Sequence, residues 1–236
     1  MNIKKIFGIL TFLSVFAFAL TQIIDPDFGW HIKTGEYIVT HIAIPYRDIF
    51  SFTAAGQPWI TEEWLTDVVM YLLFQAGGYL PVMIFFALVP AVALTLVYWR
   101  SEAHPFIAAL GTFFAAWVVS AYWSARPQMI SFLFASFFLF ILERYRREGT
   151  GKFLWLLVPV MLIWPNAHGG FPVGPILILV YLFVDAVQIY SHWDGDTACL
   201  QKLGQLGSVL FVCLFVIAFN PNGLALYKYP FQTLLS

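Results

Sequence analysis

Four polar clusters interrupt an otherwise apolar chain with residue types that can do chemistry. They are Asp25-Pro26-Asp27, the Ser124 to Gln128 segment around Arg126, the Pro165 to Gly170 segment around His168, and Asn220 to Gly223. Two carboxylates one residue apart can hold a divalent cation of the Mg or Mn kind or supply a general base. Pro26 stiffens the pair by fixing its own φ and favouring extended backbone at Asp25. The same tripeptide also serves simply to end a helix and solvate a loop. Arg126 can grip a phosphate through charge-assisted bidentate bonds or snorkel at a membrane surface. His168 can bond a phosphate, ligate a metal, or be a satisfied polar residue in a glycine-rich turn. Lys228, beside Tyr227, can touch the same head group or mark the interface. Trp30-His31 and Glu62-Glu63-Trp64 add aromatic and ionisable groups to the first segment, and aromatic faces beside carboxylates suit a sugar-binding cleft.

What must position these residues is a membrane bundle. A composition of 61% hydrophobic and 11% charged residues exceeds what a soluble chain of 236 residues can bury, so the fold expected is an all-α integral membrane protein. Crossing roughly 30 Å of hydrocarbon takes about 17 to 25 helical residues. Apolar stretches at 5–24, 79–99, 106–122, 128–142, 153–165, 171–190 and 205–219 suggest about seven transmembrane helices in a single membrane domain, with a re-entrant segment as an alternative at Pro159 to Pro165. All four clusters follow odd-numbered spans and so face one side. Eight Lys and Arg residues fall in the even loops against four opposite, which places the amino terminus in the cytoplasm and the clusters outside. A cleaved secretory signal ending in Ala17-Phe18-Ala19 is the alternative for the first span and leaves this topology unchanged. Cys199 and Cys213 have neither the placement for a structural disulfide nor a metal-binding spacing. With no phosphate-binding glycine motif, ATP-driven chemistry is not expected, and nothing asks for a nucleic acid partner.

The first external loop, 25–78, is too long for a connector. Trp30 and Tyr37 suit a short interfacial helix over 29–41. Thr61 reads as the N-cap of a second helix with Glu62 and Glu63 in its first turn. In that helix Leu65, Val68, Val69, Leu72 and Leu73 form an apolar stripe that Gly77-Gly78 ends.

With these residues in place, the chain resembles the bacterial branch of the C-type glycosyltransferase superfamily, multi-pass enzymes that take sugar from a polyprenyl-phosphate donor. The likeness is carried by Asp25 to Gly35, Pro45 to Thr53, Gln57-Pro58-Trp59 with Glu63-Trp64-Leu65, Arg126-Pro127-Gln128, Asn166 to Gly170 and Asn220-Pro221. It implies a bacterial plasma-membrane enzyme performing inverting transfer. Asp25 would be the base and Asp27 an orienting carboxylate or metal ligand. Arg126 would be the phosphate partner, with Glu63, His168, His31, Trp30 and Lys228 binding substrate. Two departures stand out: Gly29 precedes Trp30 where relatives often have a second Trp, and such enzymes usually continue beyond Ser236. An amino-terminal part of a longer enzyme, or one completed by a second chain, is therefore among the expectations. The alternative from another class is a transporter or lipid-binding protein without catalysis, given Pro90, Pro159 and Pro175 in the spans.

Overall fold

The computed structural model describes residues 2–20, 25–191 and 197–231. Among these the chain is all-α, with one isolated antiparallel bridge, Arg47 to Pro58, in the long loop. The helices are α1 (Ile3–Ala19), α2 (Phe28–His41), α3 (Trp64–Gly77), α4 (Tyr79–Arg100), α5 (Pro105–Val119), α6 (Gln128–Glu148), α7 (Leu157–Ala167), α8 (Val173–Ser191) and α9 (Thr197–Val216).

Among the described residues, five segments are long and apolar enough to cross a membrane: Tyr79–Arg100, Pro105–Tyr122, Gln128–Glu148, Val173–Ser191 and Cys199–Phe219. This is fewer than the seven expected. The first expected span corresponds to the 17 residues of α1, and its end at 21–24 lies outside the described residues. The fifth is the short apolar stretch Leu154–Ala167. Its α7 portion, 11 residues long, reaches only about half of the hydrocarbon thickness at ~1.5 Å per residue. Pro159 falls in the first turn of α7, where a missing N–H costs little, and the helix runs on through Pro165. The fourth and seventh spans are longer than the apolar runs suggested. Arg144–Glu148 and Glu143–Arg147 pairs carry α6 to Glu148, and α9 begins at Thr197 rather than at 205.

Three apolar cores hold the bundle. Trp164 of α7 is fully buried with Phe138, Leu157, Met161, Ile178 and Leu206 among α6, α7, α8 and α9. Phe28, Met70, Val82 and Ile130 join α2, α3, α4 and α6, while Val15, Ala91, Leu94 and Ala116 join α1, α4 and α5. Phe106, Phe113, Phe114 and Trp117 on α5 and Phe183 on α8 are exposed. Such apolar belts suit a chain solvated by lipid, where close packing rather than hydrophobic exclusion holds helices together.

The two ends of the bundle differ. At one, Lys4 donates to the Ser101 carbonyl, Tyr98 to the Lys4 carbonyl, Arg147 to the Arg100 carbonyl, and Tyr145 to the Lys202 carbonyl. At the other lie α2 and α3, packed against each other, together with the four polar clusters. Helix α3 corrects the expected start: Glu63 stands at its N-cap position without a capping bond, and Thr61 instead donates its buried hydroxyl to the Pro45 carbonyl at 2.7 Å. Thr61 thus pins the loop. The face of α3 buried in the protein is the one carrying Thr66, Asp67 and Met70, and the apolar stripe of Leu65, Val68 and Val69 is only half-buried. A helix lying at a membrane turns its apolar side to lipid and its polar side to the protein, which inverts the soluble arrangement.

The crossing of α2 over α3 requires glycine at one point. A Cβ at Gly35 would sit inside contact distance of the Asp67 carbonyl and the Tyr71 Cβ, whereas at Gly29 it would meet nothing within 4 Å. We therefore expect Gly35→Ala to destabilise the loop helices by about 1–3 kcal/mol, the usual cost of overpacking, while Gly29→Ala is neutral. Thermal unfolding in detergent, with protease susceptibility of the 42–63 loop as a second readout, checks this pair. Equal stability of the two variants would contradict the close crossing.

Candidate functional site

The four polar clusters converge. Leaving the first apolar run, Asp25 accepts from the Asp27 amide at 2.9 Å, which curls the backbone into α2. Arg126, in the turn before α6, bonds both carboxylates: Nε pairs with Asp25 Oδ2, and Nη2 lies 2.9 Å from Asp27 Oδ2. Neither contact uses Nη1. The Asp25 side chain is 3% exposed and that of Asp27 60%. Burial pushes the Asp25 carboxyl up, but the Arg126 hydrogen bond and the Asp27 amide more than offset this and hold it below the usual carboxylate range.

One turn into α2, His31 Nδ1 lies 2.8 Å from Oδ1 of Asp67 on α3, with both side chains buried. Burial pulls the imidazole down, and the hydrogen bond and charge of Asp67 outweigh it, so His31 is raised overall. Asp67 is raised by its own burial. Glu63, at the start of α3, stands between two imidazoles: its Oε2 is 3.9 Å from His31 Nδ1 and its Oε1 is 3.4 Å from His168 Nε2. Burial first, and the neighbouring Glu62 charge second, push Glu63 up to about 8. Glu62 is raised by burial and bonds the Tyr229 hydroxyl.

His168 follows the end of α7 and is fixed in one tautomer. The Gly170 amide donates to His168 Nδ1 at 2.9 Å, so that nitrogen is an acceptor and the Ser131 hydroxyl donates to it at 2.7 Å, while Trp164 donates its indole N–H to Ser131 Oγ at 2.7 Å. Nδ1 therefore accepts twice and carries no proton, and burial keeps the ring neutral by lowering its pKa to about 4. The single proton must be on Nε2, which faces Glu63. His168 is a fixed donor to the cleft.

No known family model, curated protein or solved structure matches this chain. Its site must be read from its own geometry.

Asp27, Trp30, His31, Glu63, Arg126, Pro127 and Gln128 line a cleft of about 440 Å³. Trp30 also packs on Trp59 and Phe50, with ring centroids 5.0 and 5.3 Å apart, so its indole forms a braced wall. Of the residues expected to bind substrate, Trp30, His31, Glu63 and Arg126 are in this lining, His168 touches it through Glu63, and Lys228 is exposed outside it. The expected acidic pair divides: Asp27 faces the cleft while Asp25 is buried behind Arg126. Asn166 and Asn220 form a strut. Asn166 Oδ1 accepts from Trp64 Nε1 at 2.9 Å and Asn220 Nδ2 at 3.1 Å, and Asn220 also donates to the Pro165 carbonyl.

Sequence reasoning passed over Asp67, Ser131 and Trp164 as site residues. The available signal for Asp67 was a carboxylate on the polar side of an otherwise apolar helix. Ser131 and Trp164 lie within apolar runs and offer none. Among the described residues, the one group of three His, Asp or Glu side chains close enough to share a cation is His31, Glu63 and Asp67, with ligand atoms within 4.8 Å of one another. Asp27 is not in it.

The opposing shifts of Glu63 and His168 define a pH window. The unfolded chain releases the Glu63 proton near its ordinary value of 4.5, whereas the folded chain holds it to about 8, so this group's stabilisation is lost as pH rises through that interval. The unfolded chain protonates His168 near 6.5 while the folded chain refuses the proton to about 4, so stability is also lost as pH falls between those values. In chelator-treated protein, Glu63→Gln should flatten the alkaline limb of the stability profile and His168→Gln the acid limb. Unchanged limbs in both variants would contradict these environments.

Proposed function

We propose that this protein is a glycosyltransferase-like membrane protein that moves a sugar from a polyprenyl-phosphate donor to an acceptor at the external face of a bacterial plasma membrane. The observation that carries the reading is a pair of clefts of opposite character reached from one short stretch of chain. Glu63 lines the polar cleft. Two residues on begins an apolar groove of about 300 Å³ lined by Leu65, Thr66, Val69, Phe85, Val89, Leu133 and neighbouring side chains. Thr66 lies next to Asp67, and Ala167, also in the groove lining, precedes His168. An amphiphile with a polar head and a long hydrocarbon tail fits such a pair. The resemblance of the Asp25, Arg126 and Asn166–Gly170 motifs to C-type glycosyltransferases supports the same reading.

In this proposal the two aspartates exchange the roles expected from sequence. Asp25, ion-paired, buried and lowered in pKa, is a poor proton acceptor and serves to hold Arg126. Asp27 has an oxygen free of Arg126 and faces the cleft, so it takes the proton from the acceptor hydroxyl. The resulting oxygen nucleophile attacks the anomeric carbon from the side opposite the phosphate. The bond from that carbon to the phosphate oxygen breaks, and the electron pair leaves on the lipid phosphate. Arg126 Nη1 and His168 Nε2–H are donors able to stabilise that charge. Trp30 offers a flat face for the sugar ring.

The test is transfer of radiolabelled sugar from a panel of polyprenyl-phosphate donors by the purified chain in lipid. Asp27→Asn should lower transfer by about 10²- to 10⁴-fold, the usual scale for losing a general base. Its expression and membrane insertion should be intact. Equal activity in wild type and Asp27→Asn would remove that residue from the chemistry. Donor binding without transfer from any donor would favour the non-catalytic lipid-binding alternative.

A further inference from the structure

The charge balance around the cleft is lopsided. Asp25, Asp27, Glu62, Glu63 and Asp67 gather there against one guanidinium, Arg126, and the imidazoles of His31 and His168. Arg126 is committed to Asp25 and Asp27, and Tyr229 bonds Glu62. Glu63 and Asp67 are left with two imidazoles, one of which is locked neutral. An anionic donor head approaching this end of the bundle would meet carboxyl groups first. A bound cation would reverse that sign.

We propose that His31, Glu63 and Asp67 form a binding site for one first-row divalent transition-metal ion of the zinc or manganese class. This deepens the functional reading above, because it assigns the site a cofactor. Each residue presents one ligand atom, and the three atoms lie within 4.8 Å of one another, with Nδ1 of His31 2.8 Å from Asp67 Oδ1 and 3.9 Å from Glu63 Oε2. Bonds of about 2.0–2.2 Å at tetrahedral angles hold ligand atoms roughly 3.3–3.6 Å apart, so the two His31 distances need to change by about half an ångström and the Glu63–Asp67 separation by at most about 1.5 Å to bring the three onto an ion. The metal would take the place of the proton shared by Nδ1 and Asp67, and its binding would release protons.

Ligand chemistry decides the class of ion. Magnesium keeps oxygen ligands and several waters, whereas an imidazole with two carboxylates suits zinc, manganese or cobalt. Three protein ligands leave a position open, as catalytic metal sites do. His168 does not fill it, because its Nε2 carries the proton that the Ser131 and Gly170 bonds place there. A phosphate oxygen or a water can. The supports are rigid: Gly35 allows α2 to approach the Asp67 backbone, and the Trp64–Asn166 bond holds the start of α3 beside Glu63. Asp27, committed to Arg126, is outside the set, which moves the cation from the place expected from sequence.

The test measures metal directly and needs no sugar donor, so it can fail or succeed independently of the transfer assay. Purified chain in lipid nanodiscs is stripped with chelator, then titrated with Co²⁺ followed by visible spectroscopy, and with Zn²⁺ followed by elemental analysis. The expected result is one saturable equivalent per chain, with d–d bands of a low-coordinate nitrogen and oxygen site. Affinity should fall at least tenfold in both His31→Gln and Glu63→Gln and stay within threefold in Asp27→Asn. Glu63 is partly exposed, so its variant remains informative if His31→Gln fails to fold, as judged by circular dichroism and size-exclusion profile. No saturable binding, binding unaffected by Glu63→Gln, or equal loss in Asp27→Asn would each overturn the site.

Discussion

The contact between His31 and Asp67 is the constraint on which the rest of this end of the molecule depends. Both side chains are buried, so neither can be left alone: an unpaired carboxylate or imidazolium in that environment costs several kcal/mol. Meeting each other at 2.8 Å requires α2 and α3 to cross closely, which in turn requires the absence of a side chain at Gly35. Once α2 and α3 are fixed, Asp27 at the head of α2 and Glu63 at the head of α3 are fixed as well. The cleft between them is a consequence of that crossing.

The remaining clusters are fastened to this pair of helices by polar bonds in addition to the apolar core that Ala125 and Ala167 share with Phe28 and Met70. Arg126 reaches Asp25 and Asp27 from the turn before α6. Thr66 donates to the Ala167 carbonyl at 2.7 Å, and Trp64 to Asn166, tying α3 to the end of α7. Asn220 then ties in the segment after α9 through Asn166 and Pro165. In a bundle whose outer faces are solvated by hydrocarbon, apolar burial does not discriminate strongly between partners, and polar pairs do. The residues that look most chemical in the sequence thus divide into two kinds. Asn166 and Asn220 are struts, and Asp25 anchors an arginine. Asp27, His31, Glu63 and His168 bear on the cleft.

The neighbouring environments push similar groups apart. Asp25 is lowered by Arg126 while Glu63, in the lining of the cleft, is raised to about 8 by burial and by Glu62. His31 is raised by Asp67 against its burial, and His168 is lowered to about 4 by burial and by the nearby His31. Like groups whose pKa values are pushed in opposite directions are what acid–base work at one pH needs. The tautomer of His168 follows from the Gly170 amide donating to Nδ1 in a ring that burial keeps neutral. The apolar groove lined by Thr66 begins one residue along the chain from Asp67.

The sequence by itself determined the class of fold and the gathering of the polar clusters at one end. Composition requires a helical membrane protein, because no soluble core could absorb so many apolar side chains, and the positions of the clusters after alternate apolar runs place them together. Periodicity also located α2 and α3 to within a few residues. Only the tertiary structure decided which residues of each cluster face the cleft. Asp25 and Asp27 are indistinguishable as letters, and the reach of Arg126 separates them. Asp67 reads as an ordinary carboxylate on a helix until its partner across α2 is known, and Ser131 and Trp164 are silent in apolar runs until they are seen to set the proton on His168. Local sequence encodes periodicity and hydropathy, which are properties of one segment. Ion pairing, tautomer and shared ligand geometry depend on distances between segments, and those exist only once the helices have packed.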